Sequence, residues 1–167
     1  MHDLTFLEDK IFKFFNLAKD CLNKKNKIIF CGNGGSAADC QHIASELTGR
    51  FLKERKPMAA VALTTDTSAL TAIGNDYGFD QIFSRQLEAI GKSGDLLIAI
   101  STSGSSKNVI SCVEKANSMK IKTVGLLGNK GGELSNICNI SIVVPSNVTA
   151  NIQEAHIFIG HSLCRFL

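Results

Sequence analysis

Residues 27–51 read KIIFCGNGGSAADCQHIASELTGRF, and this stretch determines the fold that the sequence predicts. It opens with the apolar run 28–31, continues through the small residues 32–36, and then contains no Pro or Gly before Gly49. An apolar run, a glycine-rich turn and an uninterrupted mixed segment are typical of a buried strand, a tight turn and a helix. The sequence therefore predicts a strand–turn–helix unit, with Ser36 as the N-cap of the helix and Asp39 completing a weak capping box.

The turn between this strand and helix, residues 32–36 (the glycine turn), has the chemistry of a site for sugar or phosphate oxygens. Glycines allow the backbone to approach a ligand without clashes from a Cβ atom. The start of a helix presents free N–H groups and the positive end of its dipole. Turns of this type also occur in α/β proteins that bind no ligand there, so the turn alone leaves both interpretations open.

The predicted helix carries His42 and Glu46 four residues apart, which places both side chains on one helical face. An imidazole and a carboxylate at this spacing can bind one metal ion or share a proton transfer. The alternative is an ordinary solvated face with no site. Cys40 is close enough in sequence to be a further ligand, although a small buried hydrophobic residue is the main interpretation.

Composition limits the classes of protein to which the chain can belong. Its 167 residues, of which 44% are hydrophobic, suit one compact domain over residues 1–167 with a sizeable core. The net charge of +3 is too low to indicate nucleic acid binding, and no apolar run of about 18 residues predicts a membrane span. The six cysteines form no CxxC pair and lie in apolar patterns, which favours reduced thiols in a cytoplasmic protein without a signal peptide.

Short apolar strands alternate with helical segments through residues 27–145, between an N-terminal helix in residues 1–25 and a C-terminal helix in residues 151–167. The strands are continuously apolar, as in parallel sheets that are covered on both faces. We therefore predict an α/β fold, a three-layer α/β/α sandwich around a five-stranded parallel sheet. Ligands of such folds bind beyond the carboxyl ends of the strands. The predicted strands cover residues 27–31, 58–63, 96–100, 123–127 and 140–144.

A second polar turn, Ser101–Ser106 (the serine turn), follows the clearest of these strands and precedes a helix. Five of its six residues carry a hydroxyl group, and together with helix N–H groups these hydroxyls form a good phosphate cradle. Ser and Thr are also ordinary helix caps. Their number, directly after a buried strand, favours the interpretation as a ligand site.

Two further segments carry polar residues of uncertain role. Asn75 and Asp76 lie in a predicted loop over residues 74–78, after a short helix capped by Thr65 or Asp66, and both are common turn formers. In the last helix, Glu154 and His161 are seven residues apart and align closely, whereas Gln153 diverges from His161 by about 80° on an ideal helix. The helical wheel alone pairs Glu154 with His161, and packing against a neighbouring subunit is the alternative.

Four stretches together resemble the bacterial phosphoheptose isomerases, a family within the sugar isomerase (SIS) domain proteins: residues 31–51, 74–91, 94–110 and 151–161. The motifs GNGGSA and STSGxS mark the wider SIS group, while QHxASELTGRF and QExHxxxxH are more specific to the heptose enzymes. The resemblance implies a single SIS domain with flavodoxin-like strand order and a homotetramer with active sites at subunit junctions. It also implies conversion of sedoheptulose 7-phosphate to D-glycero-D-manno-heptose 7-phosphate through an enediol(ate), the first step of ADP-heptose biosynthesis.

The same resemblance implies roles for individual residues. The family's base falls on Glu46 and its acid partner on His161, and it selects Gln153 rather than Glu154. Zinc, one ion per subunit, would be held by His42, Glu46, Gln153 and His161. Contacts to the sugar phosphate fall on Ser101, Thr102, Ser103 and Ser106 for the phosphate group, and on Asn33, Gly34, Gly35, Ser36, His42, Glu46, Arg50, Asn75, Asp76 and Gln153 for the rest of the substrate.

Two alternatives to this function remain at the level of the sequence. One is a non-catalytic SIS protein that senses sugar phosphates or acts as an adaptor for the replication initiator. The other is an isomerase or epimerase for a different phosphosugar. The presence of Glu46 and His161 favours an enzyme, because a sensor needs only the serine turn and the glycine turn. The expected partner is a small sugar phosphate in the cytoplasm, with neither nucleic acid nor membrane.

Overall fold

The structure, a computed structural model, describes residues 7–167, so the predicted start of the first helix at Leu4 lies outside the described residues. Beyond residue 7 the predicted alternation of strands and helices is confirmed. A single 3₁₀ turn, Phe79–Gln81, precedes α4. The elements are α1 Glu8–Asn23, β1 Ile28–Gly32, α2 Gly35–Thr48, β2 Ala60–Ala62, α3 Thr67–Tyr77, α4 Ser84–Ile90, β3 Leu96–Ser101, α5 Lys107–Ser118, β4 Lys122–Leu127, α6 Leu134–Ile137, β5 Ile140–Val143 and α7 Thr149–Phe166.

The five strands form one parallel sheet in the order β2-β1-β3-β4-β5, which confirms the predicted sheet and its flavodoxin-like order. The strand order reverses between β1 and β3, where Gly32 pairs in register with Ile100. In open parallel sheets ligands bind at such a switch point, beyond the carboxyl ends of the strands. The glycine turn after β1 and the serine turn after β3 therefore lie side by side at the edge where a ligand is expected.

Both faces of the sheet are covered, which explains why the strands are apolar throughout. Along β1, Ile28 and Phe30 pack into one apolar cluster with α1, α2 and α7. Ile29 and Cys31 point to the other face and pack into a second cluster with α4 and α5. Successive strand residues face opposite sides, so a strand that is buried on both sides has no polar alternation. This confirms the predicted three-layer sandwich.

Helix α3 differs from its predicted extent. The predicted cap is confirmed, because the Asp66 carboxylate accepts a hydrogen bond from the Ala69 N–H at 2.9 Å. The prediction of a loop over residues 74–78 is wrong, since Asn75 and Asp76 lie in the last turn of α3. Gly78, with a φ of 90°, ends the helix, whereas Gly74 does not have a positive φ and lies inside the helix. Two glycines close together made the end of the helix ambiguous in the sequence.

The predicted reduced state of the cysteines is confirmed: all six are free, and five of them are buried. Burial raises the pKa of Cys21 to about 11 and that of the partly buried Cys138 to about 12. Thiols with such high pKa values form little thiolate near neutral pH and are poor nucleophiles. Among the described helices, none combines the length and the apolar composition that a membrane span requires.

Candidate active site

The glycine turn is closely packed between β1 and α2. A Cβ atom on Gly32 would come within 2.9 Å of the Ile100 carbonyl oxygen on the neighbouring strand, so this position needs glycine. Gly34, with a φ of 56°, is the N-cap of α2, and its carbonyl accepts hydrogen bonds from the N–H groups of Ala37 and Ala38. The prediction that Ser36 caps this helix is therefore wrong. Ser36 lies inside the first turn and is buried, because glycine alone adopts the conformation at residue 34 easily and so starts the helix earlier.

The two turns are joined by a pair of asparagine side chains. The Asn33 amide donates to the Asn108 carbonyl oxygen at 2.8 Å, and the Asn108 amide donates back at 2.8 Å. Asn108 is buried near the start of α5, the helix that follows the serine turn. Asn33, predicted to contact the sugar, thus also holds the glycine turn at a set distance from the serine turn. Sequence reasoning did not identify Asn108, since nothing local marks a partner 75 residues away.

Hydroxyl groups of the serine turn converge, as the phosphate-cradle interpretation requires. The Ser101 Oγ lies 3.2 Å from the Ser106 Oγ and 3.5 Å from the Ser103 Oγ, and it accepts a hydrogen bond from the Gly104 N–H. Ser106 occupies the N-cap position of α5, yet its side chain makes no capping hydrogen bond. The side chain of Ser106 therefore does not act as a helix cap, which was the alternative interpretation of this residue. Thr102 is half-buried and Ser103 is exposed at the mouth of the turn.

The segment 128–134, to which the sequence analysis gave no role in the site, holds the backbone of the serine turn. The Asn129 amide donates to the Thr102 carbonyl at 2.8 Å, and the Leu134 N–H donates to the Gly104 carbonyl at 3.0 Å. A Cβ atom on Gly104, whose φ is 68°, would overlap the Gly131 carbonyl oxygen. Only glycine fits between these two backbones. The paired glycines at 131 and 132 in the sequence were the available signal for this contact.

Three side chains from α2 and α7 form a second group, the His–Glu cluster, made of His42, Glu46 and His161. The two Nε2 atoms of the histidines are 2.8 Å apart, and the His42 Nε2 is 3.6 Å from a Glu46 carboxylate oxygen. One ligand atom from each residue lies within 4.8 Å of the other two. The predicted shared face of His42 and Glu46 is confirmed, and the fold adds His161 from 119 residues farther along the chain.

The donor atoms of the His–Glu cluster fit a metal ion. Two imidazole nitrogens and one carboxylate oxygen are a donor set that catalytic zinc sites use, with the fourth position open. Nitrogens bound to one tetrahedral zinc at about 2.0–2.1 Å would be about 3.3 Å apart, so the histidines need to separate only slightly. Their present separation of 2.8 Å is a hydrogen-bond distance, at which one Nε2–H would donate to the other Nε2. The described residues thus form an arrangement that could hold a metal.

Neighbouring side chains orient the His–Glu cluster. The Phe51 ring stacks on His161 with centroids 5.6 Å apart and an interplanar angle of 21°. Burial raises the pKa of Asp39 above its ordinary value, while the nearby His42 and His161 oppose this shift. One Asp39 carboxylate oxygen is buried and has no hydrogen-bond partner among the described residues. Sequence reasoning treated Asp39 only as a capping residue, although its spacing of three from His42 was a signal of a shared face.

The structure distinguishes Gln153 from Glu154. A Cβ atom on Gly35 would overlap the Gln153 side-chain nitrogen, so the Gln153 amide lies on the start of α2 beside the glycine turn. Glu154 is exposed. The pairing of Glu154 with His161 that the helical wheel indicated is wrong, since His161 pairs with His42 instead. The wheel describes one helix, whereas the face that α7 turns to α2 is set by packing between the two helices.

Other predicted contacts lie away from the His–Glu cluster. Asn75 donates to the Asp76 carboxylate at 2.8 Å, and Asp76 lines a groove of about 510 Å³ formed by residues of β2, α3 and α4. Arg85 and Tyr77 also line this groove, and the Arg85 guanidinium lies 3.6 Å from the centroid of the Tyr77 ring. Arg50 is exposed just after the end of α2. One chain therefore brings together the two turns and Gln153, gathers the His–Glu cluster farther along α2 and α7, and places Asn75 and Asp76 on a separate helix.

Comparisons with known proteins identify the family to which this fold belongs. The SIS domain family model matches residues 4–128. The phosphoheptose isomerase of Aliarcobacter butzleri is 53% identical over 161 residues, which is 96% of this chain and 85% of that protein. The structure of phosphoheptose isomerase from Neisseria gonorrhoeae is 48% identical with a TM-score of 0.90, covering 95% of this chain and 85% of that one. The Francisella tularensis structure is 43% identical with a TM-score of 0.92, covering 95% and 84%. The chain therefore belongs to the phosphoheptose isomerase family of SIS-domain proteins.

Proposed function

We propose that this protein is an aldose–ketose isomerase that converts sedoheptulose 7-phosphate to D-glycero-D-manno-heptose 7-phosphate. The observation that carries the proposal is the convergence of Glu46 and His161 in one cluster, in a chain whose two polar turns lie side by side at the carboxyl ends of β1 and β3. Isomerisation needs a base over one carbon, an acid for the oxygens and an anchor for the distal phosphate. The names of the relatives that are about half identical to this chain support the same reaction.

In the proposed mechanism Glu46 removes a proton from C1 of the ketose. The electron pair of that C–H bond forms the C1–C2 double bond, and the C2 carbonyl becomes an enediolate oxygen that His161 protonates. His161, which has given up its proton, then takes the proton from O1, and Glu46 returns its proton to C2, so that the aldehyde forms and both residues regain their starting states. The stacked Phe51 ring keeps the His161 imidazole in place for these transfers. A positioned acid–base pair of this kind typically contributes about 10²–10⁴-fold to the rate.

The serine turn would hold the phosphate through Ser101, Thr102, Ser103 and Ser106. Its hydroxyls and the N–H groups at the start of α5 suit phosphate oxygens. The glycine turn would hold the sugar chain through Asn33, Gly34 and Gly35. Ser36 is buried, so we expect it to contribute its backbone N–H rather than its hydroxyl. Arg50 is exposed just after the end of α2, and its side chain would contact the substrate from the solvent side.

Zinc is the cofactor that we propose for the His–Glu cluster, one ion per subunit. His42, Glu46 and His161 would hold it. Gln153 is the fourth ligand that the resemblance to the family implies, and its amide lies beside Gly35, seven residues before His42 on α2. When bound, zinc supplies Lewis acidity that favours negative charge on the substrate oxygens. A matched test is calorimetric titration of zinc into the protein and into a His42→Gln variant. Equal affinity in both would contradict the assignment.

We also propose a homotetramer with active sites at subunit junctions. Phe12, Phe158 and Phe166 are large apolar side chains that are exposed in the single chain, as at many subunit interfaces. Asn75 and Asp76 lie on α3, so we expect them to contribute to the site of a neighbouring subunit. Mixed oligomers of Glu46→Gln and Asp76→Ala chains should then recover activity. Mixing Glu46→Gln with His161→Ala chains should not, because both residues belong to one chain's cluster.

The alternative of a non-catalytic SIS sensor or replication-initiator adaptor is not favoured. Such a protein has no need of a base and an acid that meet across two helices, and the relatives reported above bear the name of an isomerase. We place the reaction in the cytoplasm, as the first step of ADP-heptose biosynthesis.

The decisive experiment incubates the purified protein with sedoheptulose 7-phosphate and follows the aldose by NMR, with and without added zinc. We expect turnover by the wild-type protein and none above background by Glu46→Gln. No turnover by the folded wild-type protein under either condition would contradict the proposed function.

A further inference from the structure

Arg55 joins the ends of the two helices that carry the proposed base and acid. It lies in the segment between α2 and β2, and its side chain is partly buried. One terminal nitrogen, Nη2, donates a hydrogen bond to the Glu46 carbonyl oxygen at 2.9 Å. The other, Nη1, donates to the Cys164 carbonyl oxygen at 2.8 Å. A single guanidinium group therefore bridges α2 and α7.

The Glu46 carbonyl is one that its own helix leaves without a partner. Helix α2 ends at Thr48, so Glu46 lies in its last turn. Carbonyls of the last turn have no N–H group four residues ahead within the helix, and they form the negative end of the helix dipole. A cation that binds the Glu46 carbonyl is therefore favoured there, and the same guanidinium also reaches the Cys164 carbonyl of α7. The planar guanidinium fork of Arg holds two acceptors in one geometry, which the ammonium group of Lys does not.

The Arg55 bridge binds the backbone at, or within one helical turn of, the residues that carry the proposed reacting groups. Glu46 itself supplies one of the two carbonyls, and His161 lies three residues before Cys164, which is less than one helical turn. The same helices also meet at Gly160, where an added Cβ would overlap Ile43, and at the start of α2, where the Gln153 amide lies on Gly35. The Arg55 bridge lies on the C-terminal side of both contacts, so its loss removes the interhelical contact that the backbone of Glu46 itself makes.

We propose that Arg55 is a positioning residue of the isomerase centre, which sets the separation of Glu46 from His161. The proposal rests on the proposed function, because it requires those two side chains to carry the reaction. Reacting groups tolerate little displacement, since a misplacement of about 1 Å can reduce the rate about 10²-fold. Arg55 keeps this place even though its Nε is buried and has no hydrogen-bond partner among the described residues. The two bonds to carbonyls therefore outweigh the unsatisfied donor.

The test compares Arg55→Met and Arg55→Lys with Lys27→Met as a matched control. Lys27 is also a partly buried cation, and its Nζ lies 2.6 Å from the buried Asp95 carboxylate. That pair is located where β1 and β3 begin, at the edge of the sheet opposite to the proposed site. Lys27→Met should lower the melting temperature and leave kcat unchanged at temperatures at which it is folded. The control thus measures what a loss of stability alone does to turnover.

We expect kcat of Arg55→Met to fall by about ten- to a hundred-fold, with KM nearly unchanged because the serine turn is untouched. Arg55→Lys should have a kcat between those of Arg55→Met and the wild type, since Lys keeps the positive charge and a single ammonium group as donor. If Arg55→Met does not fold, the comparison of Arg55→Lys with Lys27→Met carries the test. Wild-type kcat in the folded Arg55 variants would overturn the proposal, as would a loss no greater than that of an equally destabilised Lys27→Met.

A parallel measurement on Glu46→Gln separates this proposal from the proposed function. Loss of turnover in Glu46→Gln together with wild-type kcat in the Arg55 variants would overturn the role of Arg55 alone. Full turnover in a folded Glu46→Gln would overturn the assignment of the base itself, and the positioning role would fall with it.

Discussion

The serine turn and the His–Glu cluster are both parts of the proposed site, but they are built in different ways. The serine turn takes its hydroxyl groups from the contiguous residues Ser101–Ser106, and a backbone segment at 128–134 supports it. The His–Glu cluster takes its members from two helices that are separated by more than 100 residues of chain, since His42 and His161 are 119 positions apart. One site component is therefore local in sequence, and the other depends on how two helices cross.

This difference leads to different expectations for mutations. A change in the serine turn should remove one contact to the substrate and leave the rest of the turn in place, because its backbone is held independently. A change in the His–Glu cluster or at the crossing of α2 and α7 should affect the chemical step, because the reacting groups are positioned relative to one another. The following predictions test that distinction, from the largest expected effect to the smallest.

Glu46→Gln should lower kcat by at least about 10²–10⁴-fold, because the amide keeps the size of the side chain and cannot accept the proton. Substrate should still bind, since the serine turn is unchanged. The measurement is turnover by NMR together with incorporation of solvent deuterium into the substrate, which should fall in parallel. Bound zinc is measured in the same sample to separate loss of the base from loss of metal. Deuterium exchange at the wild-type rate in a folded, metal-replete variant would show that Glu46 is not the base and would make His161 the leading candidate.

Ser103→Ala and Ser106→Ala should weaken substrate binding more than they slow the chemical step. A lost hydrogen bond to a charged group is worth about 1.5–3 kcal/mol, so KM should rise about ten- to a hundred-fold in each variant. Ser105→Ala is the matched control, since Ser105 belongs to the same turn and is not among the proposed phosphate contacts. If both variants keep the wild-type KM, the phosphate is held elsewhere and the comparison of the two regions fails.

Gly160→Ala should destabilise the protein by about 1–3 kcal/mol, because the new methyl group would overlap the Ile43 side chain at the crossing of α2 and α7. It should also lower kcat, since His42 and His161 are the adjacent residues. Gly74→Ala is the control: a Cβ on this helical glycine would make only an ordinary van der Waals contact, 3.6 Å from the Ile82 side chain. Urea unfolding and turnover are measured on both variants. Equal stability of Gly160→Ala and wild type would mean that α2 and α7 do not need a glycine at residue 160 in order to pack this closely.

The smallest expected effect concerns His156, which attaches α7 to the sheet. Its Nε2 is 3.0 Å from the Leu127 carbonyl oxygen, and burial lowers its pKa from 6.5 to about 4. Below the unfolded-state pKa the unfolded chain binds a proton that the folded chain does not, so stability is lost as the pH falls towards the folded-state pKa. Between about pH 7.5 and about pH 5.5 this loss is about 1 kcal/mol.

The check on His156 is urea unfolding at both pH values for the wild type and for His156→Gln. The amide of Gln can still donate to the Leu127 carbonyl and does not titrate. The difference between the two pH dependences isolates the contribution of His156 from that of other titrating groups. Identical dependences would contradict the prediction and would mean that the imidazole does not remain buried and neutral.

Much of the fold followed from the sequence, because strands and turns of this type are determined by local chemistry. Continuous apolar runs predicted the buried parallel strands, and Asp66 was correctly identified as one of two possible caps of α3. The serine turn was identified as a possible phosphate cradle from the sequence, since five of its six residues carry hydroxyl groups directly after a buried strand, and the Ser101 and Ser106 hydroxyls do converge. The shared face of His42 and Glu46 needed only the helical period.

Other features required the tertiary structure, for identifiable physical reasons. Gly34 rather than Ser36 caps α2, because Gly34 adopts a positive φ of 56° that starts the helix earlier, and the sequence does not show which residue of the turn takes that conformation. The choice of Gln153 over Glu154, and of His42 as the partner of His161, depends on which face of α7 packs against α2. The bridge by Arg55 has no sequence signal, since its two acceptors are backbone carbonyls present in any residue. Local composition determined the strands and turns of this protein, and the packing of α2 against α7 decided which side chains meet.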